Sequence, residues 1–174
     1  METNWYSASP EDRAKLAKER AFIPDDIYPQ IRIHSVSPTA DFIATRQGPG
    51  GKKEFLLVRR TERPWQGEYM IPGGRIRGLE TAKTALPRNV KRELGFIPST
   101  FHFIDQFGVL NPEGQDGGEP WFSLWNLFEV TLTKSEQSHI KLDATGEGFR
   151  WFDHIEPSFI QEVKSALVAM GFHE

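Results

Sequence analysis

The chain contains no cysteine, which excludes disulfides, thiolate nucleophiles and thiolate metal sites, so that any metal has to be held by oxygen or imidazole. Long apolar runs are missing too. Nothing approaches the ~18 apolar residues that a membrane-spanning helix requires, and residues 1–6 have neither a basic head nor an apolar stretch of leader type. A cytoplasmic location without membrane association is the expectation. Nor is there an excess of one charge: a net charge of -3 provides no basic field, and nucleic acid is not expected as the main partner. What remains is an ordinary globular composition, 38% hydrophobic and 26% charged over 174 residues, enough for one domain with a proper core and too short for two enzymatic domains.

The chain is organised around Gly73-Gly74-Arg75-Ile76-Arg77-Gly78-Leu79-Glu80 and, after seven further residues, Arg88-Asn89-Val90-Lys91-Arg92-Glu93-Leu94-Gly95-Phe96. The spacing reads as loop, helix, loop. The glycine pair suits a tight turn, Glu80 stands near the helix start, and Gly95 follows the last periodic residue as a C-cap does. Ala82, Ala85, Leu86, Val90 and Leu94 share the core-facing side. Pro87 either kinks this helix or marks a start near Thr84. In both cases Asn89, Arg92 and Glu93 lie on one face.

Before this stretch, Ser9-Pro10-Glu11-Asp12 opens a short charged helix through residue 20. Residues 31–36 and 41–45 read as one bent strand or two, residues 47–53 as a hairpin loop and residues 54–60 as a buried strand. Residues 69–72 form a short strand leading into the glycine pair. After it, residues 101–110 and 121–132 read as long aromatic-rich strands, joined by an acidic, glycine-rich loop at 111–119 suited to movement. Residues 149–152 form another strand, and residues 157–170 an amphipathic C-terminal helix. The pattern predicts an α/β or α+β layered domain over residues 31–174, preceded by an N-terminal arm over residues 1–30.

Gly74, Glu80, Arg88, Val90, Glu93, Gly95 and Phe96 match the Nudix box in register. Asn89 and Arg92 stand where that family usually has metal-binding glutamates. With Asp41-Phe42-Ile43, the run from Glu54 to Thr61, Arg63-Pro64, Gln66-Gly67 and Pro72-Gly73-Gly74-Arg75 included, the chain resembles the GDP-mannose mannosyl hydrolase branch of the Nudix superfamily. The resemblance implies an α/β/α sandwich with a mixed sheet between helices, and often a homodimer. It further implies Mg²⁺ held by the Gly73 carbonyl and Glu93, and water attack at the anomeric carbon of a nucleoside-diphosphate sugar. Arg60 and Arg75 would grip the diphosphate, Arg88 would brace loop to helix, and Asp41 would lie near the sugar as a catalytic group.

Three points depart from the branch or lie outside it. Arg92 fits neither pattern, and its place beside Glu93 suggests that its charge replaces part of the missing metal cluster and neutralises diphosphate. The Gln-His pair of the branch is absent, Thr145-Gly146 standing there. Glu147 is then the expected water-activating base, with Asp143 and His139 as alternatives. Trp65, Trp121 and Phe122 are candidates to stack on the nucleobase, Trp121 first because it borders the loop. The alternatives are a phosphorus-attacking Nudix pyrophosphatase using Glu80, Glu93 and Glu147, and a non-enzymatic nucleotide-sugar binding module.

Overall fold

The computed structural model describes residues 9–19, 23–24, 26–112, 118–143 and 146–174. In chain order the elements are α1 (Pro10–Glu19), α2 (Tyr28–His34), β1 (Ser37–Gln47), β2 (Lys53–Arg60), β3 (Tyr69–Met70), β4 (Gly73–Arg75), α3 (Ala82–Leu94), β5 (Phe101–Asn111), β6 (Trp121–Thr131), α4 (Lys134–Ser138), β7 (Gly146–Phe152) and α5 (Gln161–Ala169). A single 3₁₀ turn, Pro49–Gly51, lies in the β1–β2 loop.

The apolar centres of β1 and β2 are covered on both faces, which is why their sequences run apolar instead of alternating. Ala40, Phe42, Ala44, Leu56 and Val58 face α3, whose Ala85, Leu86, Val90 and Leu94 are buried against them. Ile43, Phe55 and Leu57 belong to the other core, with Val163, Ala166 and Leu167 of α5. The sheet runs β3-β2-β1-β6-β5, with β4 pairing β1 and β7 pairing β2. β1 and β6 are parallel and the remaining pairs antiparallel. This mixed sheet between helices is the expected α/β sandwich.

Several local expectations change. Residues 31–36 do not form a strand: α2 occupies most of them, with Pro29 in its first turn and the Ile27 and Tyr28 amides donating to the Pro24 carbonyl. The Ile31-Arg32-Ile33 alternation is too short to outweigh that start, and it is Arg32 that is buried. The glycine pair is a strand and not a turn. α3 runs as one helix through Pro87, starting at a Thr81–Thr84 capping box and ending at Gly95 with φ 87°. α4, opened by a Thr133–Glu136 capping box, was not visible as periodicity because it is a single turn and a half long. The mobility expected of the 111–119 loop falls on residues 113–117, outside the described residues, as does Thr145.

Candidate functional site

The strand that replaces the turn explains the glycines. Gly73 pairs with Asp41 and Gly74 with Ala40. A Cβ on Gly73 would lie 2.2 Å from Asp41 Oδ1, and one on Gly74 2.6 Å from Arg92 Nη2. Only glycine admits a carboxylate on one residue and a guanidinium on the next, so the pair serves close approach to functional groups.

Beneath this strand, α3 is anchored by three side chains of the box, Asn89, Arg88 and Glu80. Asn89 is fully buried. Its Nδ2 donates to the Ala40 carbonyl at 3.0 Å and the Gly74 carbonyl at 2.7 Å, and its Oδ1 accepts from Arg88 Nη1 at 2.7 Å. This position therefore requires both a donor and an acceptor, which a glutamate cannot supply. Arg88 grips Glu80 through Nε at 2.8 Å and Nη2 at 2.6 Å and donates to the Arg75 carbonyl. Glu80 also accepts from the Arg77 amide. The arginine beside it is foremost among the groups that more than offset partial burial and hold Glu80 below the ordinary range. Arg88 and Glu80 form a brace between loop and helix.

Arg92 links the two groups expected to hold Mg²⁺. Its Nη2 donates to the Gly73 carbonyl at 2.6 Å and to Glu93 Oε1, and its Nε donates to the same carboxylate oxygen at 3.2 Å. Asp143 Oδ2 lies 3.8 Å from Nε. Among the described residues no group of three or more Asp, Glu or His side chains could hold a metal ion. Mg²⁺ demands a near-octahedral set of oxygens. Here the Gly73 carbonyl and Glu93 Oε1 are already drawn onto a cation that would repel a second one. The donor set as arranged does not fit a divalent metal.

Burial shifts the neighbouring acids. Asp41 is pushed up to about 8, chiefly by burial, with Glu93 adding to the rise and the Thr39 hydroxyl and Arg92 opposing it. Glu93 is also raised: burial outweighs the pull of Arg92, and Asp143 adds to the rise. At neutral pH Asp41 keeps its proton and presents a neutral carboxyl group.

These groups line a cleft of about 360 Å³ together with Arg60, Arg75 and Trp121. Arg60 donates to the Glu62 and Arg63 carbonyls, and its partly buried guanidinium is lowered mainly by desolvation. Arg75 packs over the Tyr28 ring at 5.7 Å, and its guanidinium makes no hydrogen bond to protein among the described residues. Arg32 packs over both Tyr28 and Trp121, at 5.7 and 5.3 Å. Asn111 ties the Trp121 carbonyl to Ser123.

The structure thus brings together Asp41, Arg60, Gly73, Arg75, Arg92, Glu93 and Trp121, with Trp65 also in the lining. It does not bring Glu147 there. Glu147 is the extra residue where β7 slips register against Arg59 and Arg60, and the bulge turns it to solvent, 3.9 Å from Arg59. His139, at the C-terminal cap of α4, bonds the Ser135 carbonyl and is absent from the lining. Phe122 lies over Gly108, since alternation along β6 puts it on the face opposite Trp121. Of the three candidate bases, Asp143 lines the cleft. Tyr28, Arg32 and Asn111 are site residues the sequence did not disclose. The one signal for the first two was Pro29, a residue that suits a helix start, just ahead of the 31–36 stretch that read as strand.

A family model described as the NUDIX domain matches residues 38–167. The low-salt glycan biosynthesis protein Agl8 of Haloferax volcanii is 30% identical over 150 residues, covering 82% of this chain and 87% of that protein. An ADP-ribose pyrophosphatase of Methanocaldococcus jannaschii is 38% identical over 45 residues, which span 26% of this chain and only 27% of that protein. Among solved structures, the NUDIX domain of Shewanella oneidensis NrtR complexed with ADP ribose aligns with a TM-score of 0.62 at 14% identity, covering 91% of this chain and 96% of that one. A C. elegans Ap4A hydrolase aligns at 0.59 and 19% identity over 78% of this chain and 96% of that one. At these identities the solved structures speak for the fold alone.

Proposed function

The chain belongs to the NUDIX domain family, and from that premise we propose that it hydrolyses nucleoside-diphosphate sugars at the glycosyl bond, releasing nucleoside diphosphate and free sugar, with GDP-mannose-like compounds as the substrate class. The observation that carries this reading is the convergence of Arg60, Arg75 and Arg92 on one cleft beside a neutral Asp41. Guanidinium groups match phosphate oxygens in pairs. The relatives add support for the substrate class alone: one acts in glycan biosynthesis by its name, another on ADP-ribose.

The bond cleaved follows from what the site can stabilise. Nudix hydrolases generally use divalent metals such as Mg²⁺, and attack at phosphorus draws on a cluster of carboxylates to hold them. Here Asn89 is a structural donor, Glu80 is bound to Arg88, and Glu93 is bound to Arg92. Departure of an anionic diphosphate from carbon instead needs fixed cations where charge develops. In the proposed step the oxygen of water bonds to the anomeric carbon. The carbon–oxygen bond to the β-phosphate breaks, its electron pair leaving with the diphosphate onto Arg60, Arg75 and Arg92. The water proton passes to Asp143, the one of the three candidate bases that lines the cleft. Protonated Asp41 donates a hydrogen bond to a sugar hydroxyl, and Trp121 flanks the nucleobase.

Incubation with a panel of nucleotide sugars and separation of the products tests the proposal. Nucleoside diphosphate plus free sugar supports it. Nucleoside monophosphate plus sugar phosphate supports the pyrophosphatase reading, for which the relation to an ADP-ribose pyrophosphatase speaks. Binding without turnover supports a non-enzymatic module.

A further inference from the structure

We propose that Arg92 is a built-in cation that takes the place of a divalent metal, so that the cleft binds a diphosphate without any metal. The inference deepens the function proposed above and rests on it for the diphosphate as ligand. Its ground is the position of the guanidinium. One nitrogen, Nη2, reaches both the Gly73 carbonyl, at 2.6 Å, and the Glu93 carboxylate. These are one backbone oxygen and one carboxylate oxygen, from strand and helix respectively, and a single charged nitrogen joins them as a metal ion would.

The arrangement is built into the fold. Gly74 has to be glycine for the guanidinium to lie against the strand, since a Cβ there would meet Nη2 at 2.6 Å and Nη1 at 3.1 Å. Glu93 is nearly buried, 7% exposed, and its charge has Arg92 as the closest counterion. Removing the arginine would leave a buried carboxylate beside a carbonyl oxygen, a pair of hard oxygen ligands with no cation bonded between them. Glu93 uses Oε1 for Arg92, while Arg92 Nη1 makes no hydrogen bond to protein among the described residues. The side chain is 46% exposed along the cleft, so its remaining N–H groups are available to phosphate oxygens.

The position of Asn89 agrees. Its amide holds the carbonyls of Ala40 and Gly74, leaving no carboxylate one turn before Glu93 to share a metal. The helix therefore presents a tethered guanidinium, and no second carboxylate from Asn89, to the Gly73 carbonyl and Glu93.

The test uses the intact protein with two probes, inorganic pyrophosphate and Mn²⁺. By calorimetry in EDTA, the wild type is expected to bind pyrophosphate saturably, Arg92→Ala to bind it at least about tenfold more weakly, and Arg92→Lys to fall between them. By electron paramagnetic resonance without phosphate present, the wild type is expected to show no saturable Mn²⁺ site. Arg92→Ala is expected to gain one through the Gly73 carbonyl and Glu93, and the double variant Arg92→Ala/Glu93→Gln to lose it. Should Arg92→Ala not fold, Arg92→Gln replaces it. The inference is overturned by a Glu93-dependent Mn²⁺ site in the wild type, by pyrophosphate binding that needs a divalent ion, or by an Arg92→Ala variant with unchanged affinity or no new metal site. Neither probe depends on which bond of a nucleotide sugar is broken, so a negative result in the product assay and a negative result here are distinguishable.

Discussion

Replacing Asn89 by aspartate changes almost nothing in shape and reverses the polarity of one atom. In the wild type that atom, Nδ2, donates to the carbonyls of Ala40 and Gly74 at 3.0 and 2.7 Å in a fully buried position. The variant loses two neutral hydrogen bonds, at about 1 kcal/mol each, and buries an acceptor against two acceptors at a further cost of about 1–3 kcal/mol. The bond from Arg88, already charge-assisted, becomes an ion pair and returns about 1 kcal/mol. The net loss at neutral pH is about 3 kcal/mol, which for a chain of this length lowers Tm by about 6–12 °C. The loss also has a sign with pH. The introduced carboxylate, repelled and desolvated, has its folded pKa above its unfolded one, so stability is retained at low pH and declines as pH rises. Urea unfolding of wild type and variant at about pH 4 and about pH 8 reads both effects, by differences that cancel the other titrations. A loss under about 1 kcal/mol, or one equal at the two pH values, refutes the assignment of Asn89 as the structural donor between β1, β4 and α3.

Gly73→Ala places a methyl group 2.2 Å from Asp41 Oδ1 and 2.7 Å from its Cα; overpacking of about 1–3 kcal/mol should appear in thermal unfolding, together with weaker nucleoside-diphosphate binding. The Asp41 pKa of about 8 stands above the ordinary 3.8, so its contribution to stability is whole at low pH and is lost as pH climbs through that interval. Asp41→Asn should flatten this decline in urea titrations between about pH 5 and about pH 9. Glu147→Gln, at an exposed bulge, should leave kcat within about twofold, whereas Asp143→Asn should lower it by about 10²-fold or more, the scale of general base catalysis; steady-state kinetics with the two results exchanged would reject Asp143.

Much of the layout was legible because hydrophobic periodicity reports burial. The runs Phe55-Leu56-Leu57-Val58 and Ala85-Leu86 with Val90 and Leu94 carry the two cores in their spacing. Gly95 announced its C-cap through the one backbone geometry that favours glycine. Other features were hidden because one-dimensional patterns carry no partner. Gly73 and Gly74 signalled a special backbone, but their reason lies in Asp41 and Arg92 pressed against them from other elements. Asn89 and Arg92 showed as departures from a motif, and only the carbonyls they reach distinguish a hydrogen-bonded strut from a cation. Glu147 looked near the cleft by counting along the chain, but a bulge reverses which way such a residue faces. Arg32 between two isoleucines mimicked a strand because three residues are too few to separate the periods of helix and strand.

Hydrolysis of GDP-mannose in ¹⁸O-labelled water reads directly which atom water attacks. The isotope is predicted in the released sugar, with unlabelled nucleoside diphosphate beside it. Label recovered in a phosphate group, in place of the sugar, would contradict the account.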